Sequence, residues 1–318
     1  MSAAITYFRE RPRFTKSLQL VLVAGTLAFC VWGVRNEWSK AGSRLEDANG
    51  ADLGFGLACV AAYYLVFILG WIRMLRAWNI KISYHVALQA EMVSMLAKYI
   101  PGGVWTPAAR AVALRRAAGV TDTPTVVVSV VVEAALSAIS GVIVFVVSLA
   151  WVRGVNAPWQ LLVAFGLLCA ICIHPRVFRR LTARVLRPFG ATVEPLPIGL
   201  TLMLLVFYFA TWIVGGLGLY FMVRSVGANP GLSTIPFLGG VSAVGAIVAV
   251  LAVFSPSGLG VREASMYGLL LAVTSAGPAL GATLINRLVI TLVEVVLFAV
   301  GLVMWRFSRR RAETVQRT

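Results

Sequence analysis

Charged side chains interrupt the long apolar runs of this sequence, at positions where a membrane-spanning helix would surround them with lipid. Each such charge costs about 2.5–3.5 kcal/mol at the centre of a membrane helix, so it must face a partner or a polar cavity. A cavity that presents arginine and lysine can bind an anion, whereas pairs of opposite charge can simply specify helix packing. The charges concerned are Glu91, Lys98, Glu133, Arg262, Glu263, Arg287 and Glu294.

Two breaks in the apolar runs lie beside some of these charges. One is the stretch 98–105, KYIPGGVW, and the other is the stretch 254–263, FSPSGLGVRE. Inside a membrane, the backbone groups of a broken helix must be received by protein or by a water-lined cavity. Glycine lets a ligand approach the backbone closely, so N–H groups at these tips can bind phosphate, unless each break is a plain loop between ordinary spans. The tip residues are Pro101, Gly102 and Gly103 in the first break, and Pro256, Gly258 and Gly260 in the second.

The charges around the two breaks predict a cavity that receives an anionic headgroup. Arg262 is the strongest candidate for a phosphate contact, because its planar guanidinium group can donate two parallel hydrogen bonds. No residue is predicted to be catalytic or to bind a metal. The candidate headgroup-binding residues are Lys98, Arg110, Arg262 and Arg287, and the candidate charge-balancing or proton-relay residues are Glu91, Glu133, Glu263 and Glu294.

The composition predicts a single all-α integral membrane domain over residues 1–318. The chain is 59% hydrophobic and 13% charged, with a mean hydropathy of +0.87, whereas globular proteins carry about 25% charged residues. The net charge of +16 comes from arginines between apolar runs, which the positive-inside rule explains without nucleic acid as a partner. Neither a metal-spaced cysteine–histidine cluster nor a Walker-type loop is present, so we expect no cofactor.

Apolar runs and basic clusters together predict the topology. A spanning helix needs about 20 apolar residues, and basic clusters mark the cytoplasmic side. They follow the second, fourth and last spans, so both termini are expected in the cytoplasm of a bacterial cell, with the chain in its inner membrane. The six predicted full spans are Ser17–Val34, Leu53–Ile72, Pro124–Trp151, Trp159–Ile173, Ile198–Val223 and Leu280–Trp305.

Two further apolar segments are predicted to enter and leave on the same side, as re-entrant hairpins. The first is Tyr84–Ile100 with its tip at 101–103, and the second is Ile235–Ala276 with its tip at 256–260. This arrangement gives about eight membrane segments. A competing count makes Ile235–Phe254 a full crossing, because it is long enough to span a membrane.

The order span, span, hairpin, span occurs twice with opposite orientation, which predicts an inverted repeat. The repeats would cover residues 17–151 and 159–305, and a basic cytoplasmic tail would cover 306–318. Polar residues support the comparison, since the span after each hairpin carries four of them at spacings of 4, 4 and 3, on one helical face. They are Ser129, Glu133, Ser137 and Ser140 in the first repeat, and Thr283, Arg287, Thr291 and Glu294 in the second.

Tryptophans cluster near the ends of the predicted spans. Aromatic residues at such positions anchor a helix at the interface between lipid and water, and we expect this role for nearly all of them. Trp105 differs because it immediately follows the first tip. The residues are Trp71, Trp78, Trp105, Trp151, Trp159 and Trp305.

The two tip motifs, 98–105 and 256–263, resemble the paired signatures of the flippase-like transmembrane domain of lysylphosphatidylglycerol synthases. The resemblance covers nearly the whole chain. It implies two opposed re-entrant helices and movement of a lipid headgroup, such as a lysyl-lipid or a polyprenyl-linked sugar, between leaflets. The chain departs from the family at Gly103, where a basic residue is common, and at Ser257, where a glycine is common. Only a short basic tail follows Trp305, so synthase activity is not expected.

The hypothesis from sequence is therefore a lipid flippase or transporter for an anionic or lipid-linked headgroup. Its partners would be membrane lipids and, as a further candidate, a separate lipid-modifying enzyme. One alternative is a membrane-embedded glycosyl- or aminoacyl-lipid transferase, in which Glu91 and Glu133 would act as acid and base. Another is a non-catalytic subunit of such an enzyme.

Overall fold

The computed structural model describes residues 48–99, 105–155, 158–252 and 255–315, and these residues form helices joined by short connections, with no β-strand among them. The predicted span Ser17–Val34 and the tip residues Pro101, Gly102 and Gly103 lie outside the described residues. The helices are α1 (Gly50–Ala77), α2 (Tyr84–Met95), α3 (Trp105–Ala118), α4 (Thr123–Ser148), α5 (Trp159–Ile173), α6 (Pro175–Leu186), α7 (Ile198–Ser225), α8 (Ile235–Leu251), α9 (Val261–Leu270) and α10 (Ala276–Val315).

Several helices are long and apolar enough to cross a membrane. Within the described residues there are five, or up to six if α5 and the following segment, which meet at a bend of 76°, count as one span. Three of the predicted spans fall within α1, α7 and α10, and a fourth, Pro124–Trp151, matches α4 except for its last three residues, which confirms the all-helical membrane class. The fifth helix is α8 with the short turn before it, which meets the length needed for a full crossing. The five spans are Gly50–Ala77, Thr123–Ser148, Ile198–Ser225, Leu232–Leu251 and Ala276–Met304.

Local sequence fixes where the long helices begin. The side chain of Asn49 accepts hydrogen bonds from the backbone N–H groups of Ala51 and Asp52 and so caps α1. Asp122 caps α4 in the same way by accepting from the N–H of Thr125 at 3.1 Å. A side-chain acceptor satisfies N–H groups that the first turn of a helix leaves free. Both helices therefore start where the sequence supplies a cap, just before an apolar run.

Glycines let the long helices approach until backbone touches backbone. A Cβ atom added at Gly216 of α7 would lie 2.5 Å from the backbone nitrogen of Gly239 in α8. One added at Gly240 would lie 2.7 Å from the Cα atom of Phe145 in α4. Small residues drive such close packing between membrane helices, because lipid supplies no hydrophobic force to join them. Helix α8 is thus clamped between α7 and α4.

The buried apolar residues form two main cores, and each core holds one helical hairpin. The hairpin of α2 and α3 packs with the C-terminal half of α1 around Trp71, Met74 and Leu114. The hairpin of α8 and α9 packs with the C-terminal half of α7 around Phe237 and Leu270. The long helices α1, α4, α7 and α10 contribute residues to both cores, so they connect the two hairpins.

The ends of the two hairpins meet inside this bundle. The first tip turn, Leu96–Tyr99, and the second tip turn, Pro256–Gly258, have Cα atoms within 8 Å of one another. In the second tip turn Ser257 and Gly258 have positive φ values of 52° and 69°. A Cβ atom at Gly258 would also lie 2.5 Å from the Cα atom of Ala249, so only glycine fits there. The Lys98 and Ser257 segments, 159 positions apart in sequence, are therefore neighbours.

Replacing Gly216 with alanine should lower the free energy of unfolding by about 1–3 kcal/mol, because the added methyl group overlaps the backbone of α8. Gly215 is the matched control, since a Cβ atom there would meet no atom closer than 3.9 Å. Gly215→Ala should change stability by no more than about 0.5 kcal/mol. Denaturant unfolding of the detergent-solubilised protein, followed by tryptophan fluorescence, measures both. Equal effects would contradict backbone contact between α7 and α8.

Candidate functional site

Arg110 forms the most buried ion-pair cluster among the predicted site residues. Its side chain, only 4% exposed, is held by α3 and pairs with Glu91 of α2 and, at 2.5 Å, with Glu133 of α4. The hydroxyl group of Tyr208 in α7 donates a hydrogen bond to the other oxygen of Glu133 at 3.4 Å. A cation out of water needs such paired carboxylates to offset the cost of desolvation. This cluster ties four helices together.

Trp71 packs against Arg110 in this cluster. The prediction that Trp71 anchors its helix at the interface between lipid and water is wrong. The residue is fully buried, and the guanidinium carbon of Arg110 lies 4.6 Å from the centre of its ring. Its indole N–H donates to the hydroxyl oxygen of Ser129 at 2.8 Å. A cation over an aromatic face is attracted by the ring quadrupole. Although Trp71 lies near the end of an apolar run, it is buried inside the protein, with the guanidinium group of Arg110 over its ring.

A second cluster joins the first tip turn to α10. Glu294, which is 1% exposed, accepts hydrogen bonds from the amino group of Lys98 and from the hydroxyl group of Tyr64. Tyr64 lies near the middle of α1, where a polar group needs a partner because lipid offers none. The carboxylate of Glu294 therefore holds Lys98 close to α10.

A third cluster joins the second tip turn to the same helix. The guanidinium group of Arg287 lies 3.5 Å from a carboxylate oxygen of Glu263 and donates to the backbone carbonyl of Ser257 at 3.3 Å. Glu263 also accepts from the backbone N–H of Gly260 at 2.7 Å and so closes the start of α9. Gly260 has a φ of +81°, which glycine adopts without strain. Helix α10 thus contacts both tip turns.

A cavity of about 540 Å³ opens beside these clusters, at the meeting of the two tip turns. Glu91, Lys98 and Arg262 line it among otherwise largely apolar walls, while the other five predicted charges lie behind it in the ion-pair clusters. Within the described part of the chain, the guanidinium group of Arg262 makes no ion pair and no hydrogen bond. The structure therefore brings Lys98 and Arg262 to one cavity.

Sequence reasoning missed the uncharged members of this site. Tyr64 and Tyr208 each donate to a buried glutamate, and Ser242 lines the cavity with a buried hydroxyl oxygen that has no partner in the described residues. A tyrosine in the middle of an apolar span is itself a signal, because its hydroxyl group needs a partner there. A serine in an apolar helix gives no comparable signal, since it can bond to its own backbone.

Replacing Arg110 with methionine should lower the free energy of unfolding by roughly 3–5 kcal/mol, because Glu133, which is buried, and Glu91, which is partly buried, lose their cationic partner. Arg115 lies on the same helix but is exposed. Arg115→Met should therefore stay within about 0.5 kcal/mol of the parent protein. Thermal unfolding of both variants in detergent tests the difference. A small loss for Arg110→Met would mean that the cluster does not depend on its central cation.

Comparison with known proteins gives one family match. No curated protein matches the chain. A family profile described as the transmembrane (TM) region of lysylphosphatidylglycerol synthase matches residues 17–308, nearly the whole length. This range includes every residue of the three clusters and the cavity. The chain therefore belongs to the lysylphosphatidylglycerol synthase TM region family.

Proposed function

We propose that this membrane protein is a lipid flippase, which moves a lipid with an anionic or lipid-linked headgroup between the leaflets of a bacterial cytoplasmic membrane. The observation that carries the proposal is Arg262, a cavity-lining cation without an anionic partner in the described residues. A guanidinium group in a largely apolar cavity is stabilised when an anion joins it. The anion that a membrane protein meets in quantity is the phosphate of a lipid headgroup.

Arg262 lacks an anionic partner in the described residues because the glutamates near the cavity pair with other basic residues. Arg110 takes two of the four nearby glutamates, Glu91 and Glu133. Lys98 and Arg287 pair with one glutamate each. None of the four carboxylates remains for Arg262, so a phosphate group would complete the pairing. Lys98 and the hydroxyl group of Ser242 line the same cavity and are the further candidates to contact the headgroup.

The walls of the cavity favour a lipid over a small soluble anion. Two of the lining residues, Val131 of α4 and Val250 of α8, are 56% and 69% exposed, so the cavity is open beside these two helices. In this proposal the opening faces lipid. A headgroup held by Arg262 could leave its acyl or polyprenyl chains between these two helices, in the bilayer, at no cost of exposing them to water.

Two ion pairs support an inverted repeat as the framework of this site. Arg110 of the first hairpin pairs with Glu133 of the helix that follows it, 23 positions later. Glu263 of the second hairpin pairs with Arg287 of the helix that follows it, 24 positions later. The two pairs correspond in position, with their signs exchanged. In this proposal both hairpins are re-entrant and enter from opposite sides, as in other transporters with broken helices.

The re-entrant topology predicts which loops lie on the same side of the membrane. Single cysteines replacing Lys81 and Arg116, at the two ends of the first hairpin, should react with an impermeant maleimide from one side only, the cytoplasm. Cysteines replacing Asn229 and Ser275, at the ends of the second hairpin, should react only from the other side. All four parent residues are exposed. The four native cysteines are first replaced by alanine, and intact spheroplasts are compared with inverted vesicles. Labelling of one hairpin's ends from opposite sides would contradict re-entry.

Transport itself is tested with purified protein in liposomes that contain a fluorescent anionic phospholipid. The protein should speed the loss of fluorescence from the inner leaflet when an impermeant quencher is added outside. Arg262→Gln should slow this exchange by about tenfold, the loss expected when one charge-assisted hydrogen bond is removed. A fluorescent zwitterionic lipid should exchange more slowly than the anionic one, because it offers Arg262 no net negative charge.

Arg153→Gln is the matched control, since it removes the same charge from an exposed loop residue. It should exchange lipid at the parental rate. If the parent protein accelerates the exchange of neither an anionic phospholipid nor a polyprenyl phosphate between leaflets, the proposed function is wrong. If the parent protein and the Arg262→Gln variant accelerate this exchange equally, the proposed function stands and the assigned role of Arg262 is wrong.

A further inference from the structure

Helix α6 carries a dense group of basic residues that the transport site does not use. The axis turns by 76° between α5 and the segment that contains α6 and the short turn after it. A chain that crosses a membrane along α5 would therefore run nearly parallel to the membrane surface along α6. The sequence of α6, PRVFRRLTARVL, alternates apolar and basic residues at helical spacing. It is an amphipathic helix.

One side of α6 is bound to the protein. Phe178, Thr182 and Leu186 are buried, and their spacing of four residues places them on one face. Phe178 and Leu186 belong to the core that holds the first hairpin. The hydroxyl group of Thr182 donates to the carbonyl oxygen of Phe178, one turn earlier, at 2.8 Å. The position and rotation of α6 are therefore fixed by the core.

A second apolar side of α6 is left uncovered by this packing. Leu181 and Val185 lie next to the buried face and are 42% and 64% exposed, and Phe189 in the turn that follows is 66% exposed. They stand beside one another because they are spaced four residues apart. In water, these three side chains would form an unfavourable apolar surface. They need an apolar environment that the described residues do not supply.

The remaining side of α6 is basic. Arg179 pairs with Glu194 at 3.3 Å, and both side chains are largely exposed. Within the described residues, no carboxylate pairs with the other arginines of this side. Since an exposed arginine cluster beside apolar side chains complements anionic headgroups above acyl chains, the two surfaces have the same kind of partner. The unpaired arginines are Arg176, Arg180, Arg184 and Arg187.

We propose that α6 lies in the headgroup layer of one leaflet and binds anionic phospholipids there. Leu181, Val185 and Phe189 enter the upper acyl region, and the arginines contact phosphate groups. The helix thereby forms a lipid-binding surface separate from the transport cavity. Each arginine near an anionic leaflet strengthens binding by about fivefold. The membrane of this protein, rather than a soluble partner, is the occupant of this face.

The depth of α6 is tested with single nitroxide labels in the full-length protein, reconstituted in nanodiscs after removal of the native cysteines. Val185→Cys places a label on the uncovered apolar side, and Ala183→Cys places one on the basic side; both parent residues are exposed. The label at 185 should be more accessible to oxygen than to a nickel chelate, as measured by the enhancement of its spin relaxation. The label at 183 should be more accessible to the chelate. The proposal would be overturned if the chelate reached the two labels equally. It would also be overturned if neither oxygen nor the chelate reached either label.

The preference for anionic lipid is tested with a triple variant, Arg180→Gln, Arg184→Gln and Arg187→Gln, in nanodiscs of phosphatidylcholine and phosphatidylglycerol. Mass spectrometry of the lipid that stays with the protein should show at least about fivefold less phosphatidylglycerol than for the parent. The matched control is Arg73→Gln, Arg115→Gln and Arg116→Gln, which removes three exposed charges elsewhere. It should retain most of the phosphatidylglycerol. Equal losses in the two triple variants would refute a specific surface on α6.

Discussion

Charges inside an apolar bundle must find their partners within the bundle, and this constraint organises the whole structure. Four acids and four bases of the predicted site lie where lipid or apolar side chains surround them, and pairing joins all but one into three clusters. The numbers of the two signs are equal, yet the pairing is uneven because Arg110 takes both Glu91 and Glu133. Arg262 is the residue left without a carboxylate. The site can therefore bind an anion because the carboxylates are shared unevenly among the basic residues, and not because basic residues outnumber acidic ones.

Close backbone packing makes this distribution possible. Where Gly216 meets Gly239 and Gly240 meets Phe145, α8 is held against α7 and α4 without any intervening side chain. Toward its C-terminal end, α8 instead contributes Ala246, Ala249 and Val250 to the wall of the cavity. The same helix is therefore clamped along one half and lines an open space along the other. A rigid clamp of this kind fixes the width of the cavity and the position of the tip turn that follows it.

Sequence alone could predict the all-helical membrane class and most of the long spans, because hydropathy is a local property. It could also select the charges, since a charge in an apolar run is conspicuous. It could not predict their partners. Lys98 and Glu294 are 196 positions apart, and only the packing of α2 against α10 brings them together. Trp71 shows the same limit, since its place near the end of a span suggests an interface, whereas the residue is fully buried with Arg110 over its ring.

Helix α10 touches the first tip turn through Glu294 and Lys98, and the second through Arg287 and the carbonyl oxygen of Ser257. Glu294 and Arg287 lie two turns apart on one face of a continuous helix, so the distance between them is fixed by the helical rise. Both tip turns are therefore in contact with the same helix, α10. A displacement of one tip relative to the other must therefore give up either the ion pair between Lys98 and Glu294 or the hydrogen bond from Arg287 to Ser257.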